Sequence, residues 1–122
     1  MNTRDRGRWG EEIAAGYLRL WGYRIAGRNL RCGALEVDLV AVRGETVALV
    51  EVRLRSSVRH GRPEETVRRC KRQRLAAAAE RLAAAGRLPP GRLRFDLIAI
   101  ECLEARMELR HLAGLGGPSG SR

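Results

Sequence analysis

ALEVDLVAVRGETVALVEVRLR, residues 34–55, contains two runs rich in valine and leucine, 34–43 and 46–55, separated by Gly44-Glu45. Residues of this kind suit extended backbone, and a two-residue break containing glycine between them marks a hairpin. With the turn centred there, opposed positions sum to 89, so that Val42 faces Val47, Val40 faces Leu49, Asp38 faces Glu51 and Glu36 faces Arg53. Strand alternation predicts Glu36, Asp38, Val40 and Val42 on one face and Val47, Leu49, Glu51 and Arg53 on the adjoining face. Acids therefore interrupt faces that are otherwise apolar.

Directly opposed side chains have Cβ atoms roughly 4.5–5.5 Å apart, and like charges there repel, more strongly beside an apolar surface. Asp38 and Glu51 so placed need a counter-charge. Mg²⁺ or Mn²⁺ would provide one, since hard divalent cations prefer carboxylate oxygen; the carbonyl of Val52 is a further candidate ligand. Arg53, on the same face, suits a phosphate oxygen or charge developing on a phosphoryl group. The alternative is structural: Glu36 pairs with Arg53, and Asp38 and Glu51 lie on a solvated face.

On the N-terminal side, residues 8–21 place Ile13, Ala14, Tyr17, Leu18 and Trp21 at three- and four-residue spacing before Gly22, which predicts an amphipathic helix. A short strand is expected at 23–31. On the C-terminal side, Pro63 suits a first helical position, and good helix formers continue to Ala85 before Gly86 and Pro89-Pro90. Residues 93–103 and 105–114 read as two closing strands, and 115–122 has the composition of a disordered tail. The expectation is a single α/β domain over 1–114, in the order α-β-β-β-α-β-β. One hundred and twenty-two residues are enough for one core.

Lysine and arginine number 24 against 14 acids, a net charge of +10, which favours a polyanionic partner such as nucleic acid. Between Arg53 and Arg74 nine cations face only Glu64 and Glu65, so the charge concentrates beside the acids. Arg55, Arg59, Arg68, Lys71 and Arg72 are the candidate contacts to phosphates. Aromatics are 4%, too few for base stacking to dominate. Cys32, Cys70 and Cys102 lack paired spacing and read as buried reduced thiols. His60 and His111 have no partner at metal-binding spacing, and Asp96, on a face with Ile98 and Ile100, reads as structural. No run approaches the ~18 apolar residues of a membrane span, and the charged start lacks a signal-like apolar stretch, so a cytoplasmic protein is expected.

An ordered set of short motifs adds to this. Gly10-Glu11-Glu12-Ile13-Ala14 with Tyr17-Leu18, Gly22-Tyr23, Arg28-Asn29, Glu36-Val37-Asp38-Leu39, Val50-Glu51-Val52-Arg53, Gly61 and Pro63 with Lys71, Arg94-Phe95-Asp96-Leu97 and His111-Leu112 follow one another from about residue 7 to 113. The set resembles the YraN-type endonuclease family of the PD-(D/E)xK nuclease superfamily, related to Holliday junction resolvases. The resemblance implies a restriction-endonuclease-like fold, with a central mixed sheet of about five strands flanked by helices. It also implies Glu11 from the first helix joining Asp38 and Glu51 around Mg²⁺ or Mn²⁺, with Glu36 and Arg53 assisting in hydrolysis of DNA. Two positions depart from the family pattern: Leu35 stands where glycine is usual, and Arg53 where lysine is usual. A guanidinium with a pKa above ~12 does not accept a proton, so Arg53 would act electrostatically and a metal-activated water would be the nucleophile. The alternative is a nuclease-fold module that binds nucleic acid without turnover. A third class is an assembly protein, a homodimer joined through an edge strand such as 105–113.

Overall fold

The computed structural model describes residues 3–55 and 69–115. Its elements run α1 (Thr3–Leu20), β1 (Arg24–Cys32), β2 (Leu35–Arg43), β3 (Thr46–Arg55), α2 (Arg69–Ala84), β4 (Arg92–Cys102) and β5 (Met107–Leu112). The expected order is borne out. The five strands form one mixed sheet in sequential order, antiparallel throughout except for the parallel pair β3 and β4, which α2 connects. The expected helix start at Pro63 lies outside the described residues.

Helix α1 stops as the sequence predicts. Gly22 takes φ 90°, Tyr23 N–H donates to Leu18 O at 2.9 Å and Gly22 N–H to Arg19 O at 3.0 Å, which satisfies carbonyls the helix end would leave unpaired. Gly86, at φ 73°, closes α2 in the same way, through Arg87 to Leu82 and Gly86 to Ala83. On α1, Ala14, Ala15 and Leu18 are buried, with Ile13 and Tyr17 half-buried against them. Trp21, expected on the buried stripe, is 62% exposed, because the helix ends before it can turn inward. Cys102 is a half-buried free thiol and not a core residue.

Period-two alternation divides the core between the two sheet faces. On one face, Leu39, Ala41, Ala48, Val50, Ile98 and Ile100 pack with α1. On the other, Val37, Val40, Val47 and Leu49 pack with Leu75 and Ala79 of α2. The β2–β3 register sums to 89 as expected, from Arg43 opposite Thr46 to Leu39 opposite Val50.

Strand β4 starts against the hairpin turn: Arg92 N–H donates to Glu45 O at 2.7 Å. Gly91 makes this approach possible. Its φ is 146°, and a Cβ there would lie 2.7 Å from Glu45 O and 2.8 Å from Val47 Cγ2. Gly91→Ala is expected to destabilise the fold by about 1–3 kcal/mol, read as a lower urea midpoint with unchanged slope.

Candidate active site

The acids are positioned by an interruption that both strands share. Regular alternation would put Val37 and Leu39 on one face, yet Val37 packs on the α2 side and Leu39 on the α1 side. Strand β1 does likewise: Leu30, opposite Val37, packs on the α2 side, while Arg28, opposite Leu39, reaches Glu12 of α1. Between them stand Asn29 and Asp38. Asn29 has φ 51°, a left-handed backbone that asparagine tolerates better than other residues with a Cβ. The shift in phase turns Asp38 toward α1, where it lines a cleft of about 310 Å³ with Arg6, Gly7, Glu11, Val52 and Leu54.

The β2–β3 ladder ends at Leu39 opposite Val50, and Asp38 occupies the gap beyond it. Its Oδ2 accepts a hydrogen bond from Val52 N–H at 2.8 Å, replacing the missing ladder bond. Three further acids act on it. Burial first, then the charges of Glu11, Glu51 and Glu36, push the Asp38 carboxyl up from 3.8 to about 6, against the lowering effect of the Val52 hydrogen bond. Glu11 is also raised, chiefly by burial and then by Glu36, while Asn29 opposes the shift. The Asn29 amide, with its NH₂ turned toward the acids, donates to Glu11 Oε2 at 3.1 Å and to Glu36 Oε2 at 3.3 Å. One side chain thus ties an acid of α1 to an acid of β2.

Two sequence expectations need correction here. Asp38 does not share the face of Val40 and Val42, because the strand is not regular at this point. Nor is it cross-strand partner to Glu51, since pairing stops one residue earlier. Glu51 lines the α2-side cleft with Val37, Leu49, Leu75 and Phe95, and its Oε2 accepts from Arg53 Nε at 2.7 Å. The structural alternative, in which Arg53 pairs with Glu36, is met by a different pair, Arg53 with Glu51. The structure places Asp38 and Glu11 in the α1-side cleft and Glu51, with Arg53, on the α2 side, so the expected common face of Asp38, Glu51 and Arg53 does not form. Glu36 lines the α2-side cleft and is joined to Glu11 through Asn29, and the charge of Glu51 still acts on Asp38. Asn29 was the residue that sequence reasoning missed. Its signal was an asparagine inside a strand, where that residue is depleted.

A family model described as "Uncharacterised protein family UPF0102" matches residues 10–100. That span covers every acid of the cluster and more than half of the chain. The chain belongs to the UPF0102 family. A UPF0102 protein of Syntrophotalea carbinolica is 41% identical over 108 residues, 88% of each chain. One of Moorella thermoacetica is 43% identical over 100 residues, 82% of this chain and 83% of the relative. One of an Arthrobacter species is 38% identical over 118 residues, 95% of this chain and all of the relative.

In this UPF0102 chain the donors suit a hard divalent cation in chemistry: all are carboxylate oxygens, and positive charge would relieve the burial and repulsion that raise Asp38 and Glu11. Their positions are less closed. Among the described residues no three acidic, histidine or cysteine side chains converge to hold a metal ion. Asp38 with Glu11 would form the inner pair, and Glu51, which lines the α2-side cleft with one oxygen on Arg53, would have to turn toward α1 to join them.

Of the candidate phosphate contacts, Arg55 stands in register with Glu101, a carboxylate only 2% exposed. Lys71 and Arg72 fall on α2, and Arg59 and Arg68 lie outside the described residues. No described helix is long and apolar enough to cross a membrane.

A second polar network braces the UPF0102 sheet from the opposite edge. The fully buried Asp96 accepts from Arg94 Nε at 2.9 Å, from Arg94 Nη2 at 2.8 Å and from Gly114 N–H at 3.1 Å, with His111 Nε2 also at 2.8 Å. His111 Nδ1 meets Tyr17 Oη at 2.9 Å, and Arg94 donates to Tyr23 Oη at 2.6 Å. The expected structural role of Asp96 fits this arrangement: it joins β4, β5 and the residues after β5 to the C-terminal half of α1.

Proposed function

We propose that this chain is a metal-dependent endonuclease that hydrolyses DNA phosphodiester bonds in the cytoplasm. The observation that carries it is Asp38, a carboxyl group held in the gap of a splayed strand pair with three other acids acting on its charge. Asp38 and Glu11 would hold Mg²⁺ or Mn²⁺, with Glu36 steadied by Asn29 at the margin. A cation bound there would supply polarisation of a phosphate oxygen and an activated water. The protein's own residues do the rest. Val52 N–H fixes one Asp38 oxygen and Asn29 holds Glu11 and Glu36 together, while Arg53 would offer its charge to the phosphate only by leaving Glu51 and the α2 side of the sheet.

Purified protein is expected to cleave single-stranded, branched or plasmid DNA with Mg²⁺ or Mn²⁺ and not in EDTA. Asp38→Asn and Glu51→Gln are each expected to lower the rate by on the order of 100-fold or more, the scale seen when a group acting at the transition state is removed. Undiminished cleavage by both variants overturns the mechanism.

The Arg53 guanidinium already neutralises Glu51 at 2.7 Å, and this favours a second reading, a module that binds nucleic acid without turnover. Arg53→Lys separates the two. Cleavage gained with lysine marks a site silenced by arginine, whereas salt-sensitive binding with no cleavage by either form favours the binding module.

A further inference from the structure

We propose that the N-terminal half of α1 is the surface that receives the phosphate backbone of a nucleic acid and leads it to Asp38. The identity of the occupant rests on the function proposed above; the surface itself rests on separate observations. Arg4, Arg6 and Arg8 are all exposed on the first turns of α1. Arg4 and Arg8, one helical turn apart, line a cleft of about 480 Å³ with Gly7, Glu11, Glu12, Arg28 and Asn29. Arg6 lines the neighbouring cleft, which has Asp38 in its wall. The two clefts share Gly7 and Glu11, so arginines stand on both flanks of one ridge.

Charge changes sign along this route. Glu12 is paired with Arg28 at 2.9 Å, which leaves the arginines of α1 to set the potential of the outer rim. Asp5, the acid of the first turn, lines neither cleft. Deeper in are Glu11 and Asp38. A small acidic metabolite in the inner cleft would meet those carboxylates directly. A polymer with many phosphates can be held by the outer cations while one phosphate is presented to the acids and whatever cation they hold. Gly7 keeps the ridge low: a Cβ there would have no atom within 4 Å, so the backbone is bare. A flat anionic membrane would touch one flank of the helix only, whereas a flexible strand can follow both. The cations of 53–74 form a run in the sequence; these three act through their position.

The test is fluorescence anisotropy in EDTA with a labelled strand of about 20 nucleotides, as single-stranded DNA, duplex DNA and RNA, at several salt concentrations. Asp38→Asn is expected to bind at least as well as wild type. The triple variant Arg4→Gln/Arg6→Gln/Arg8→Gln is expected to bind roughly tenfold more weakly and to flatten the log-affinity against log-salt slope by about 2, the share of three phosphate contacts. Gly7→Glu, with every arginine kept and open space for its side chain, is expected to weaken binding in the same direction. Arg19→Gln/Arg24→Gln/Arg81→Gln, which removes equal charge elsewhere, should leave the slope unchanged.

Unchanged binding by the α1 variants, or an equal loss in the control triple, overturns the surface. So does wild type that binds phosphatidylserine vesicles but none of the three nucleic acids. Cleavage assays keep the two claims apart. Binding through α1 without cleavage in any cation removes the hydrolytic reading and leaves the surface. Metal-dependent cleavage undiminished in the α1 triple does the reverse.

Discussion

Asp96→Ala is expected to remove about 3–5 kcal/mol of stability, the range for deleting one partner of a buried charged pair. That is a large share of the roughly 5–15 kcal/mol typical of a whole domain. Asp96 has no exposed side-chain surface, and its two oxygens serve Arg94, His111 and Gly114. Alanine would leave the guanidinium, the imidazole and a backbone N–H facing a void. The pH dependence follows from the direction of the shift. Burial works to raise the Asp96 carboxyl, but hydrogen bonds from His111 and Arg94, and the charge of Arg94, outweigh it and hold the group below its ordinary 3.8. A lowered carboxyl contributes stability that is present above 3.8 and lost as pH falls through the folded-state value. Urea denaturation should therefore show the gap between wild type and Asp96→Ala narrowing only in strong acid. A gap of under about 1 kcal/mol at neutral pH, the size of an ordinary surface substitution, would contradict the bracing role.

Asp38→Asn should act in the opposite direction. The Asp38 carboxyl rises from 3.8 to about 6 on folding, so the folded chain holds that proton more tightly than the unfolded one. The contribution of Asp38 to stability is then greatest below 3.8, declines as pH climbs toward about 6, and stays at the lower level beyond it. Raising the carboxyl from 3.8 to about 6 corresponds to about 3 kcal/mol of destabilisation at neutral pH. Asparagine keeps an oxygen for Val52 N–H and removes the charge. In EDTA the variant should be more stable than wild type by about 2–3 kcal/mol at neutral pH and nearly equal to it in acid. Equal differences at both pH values would show that burial and the neighbouring acids do not raise Asp38. A side chain that weakens its own fold at neutral pH, while its neutral isostere does not, fits a functional position better than a structural one.

The hairpin at 34–55 was legible because local rules agree there: aliphatic residues, a glycine in the turn and register all point one way. The same held for the ends of α1 and α2, where glycines in the left-handed region mark the stop. The facing of Asp38 was not legible. Alternation assumes regular strands, and the left-handed residue that breaks it lies on β1, nine positions before Asp38 in the chain and opposite it in space. Asp96 showed as an acid on an apolar face with Arg94 two residues before it on the same strand, but His111 and Gly114, which also bond it, and Tyr17, which bonds His111, meet only after the sheet and α1 have packed. Spacing carries the Arg94–Asp96 pair, two apart on one strand face, and none of the long-range partners. Glu11 was reached through family resemblance alone, since its helix contacts the cluster by tertiary packing.

The backbone at Asn29 leaves that position little freedom to change. Glycine would accept the left-handed φ of 51° but discard the amide that joins Glu11 to Glu36. Aspartate also tolerates that region, yet would bring a fresh negative charge to a crowded group, and glutamine retains the amide on a stem poorly suited to the twist. Conformation and hydrogen bonding are separate demands, and asparagine is the residue that meets both at once. A library that varies residue 29 should therefore return few functional replacements, even though its side chain lies at the surface.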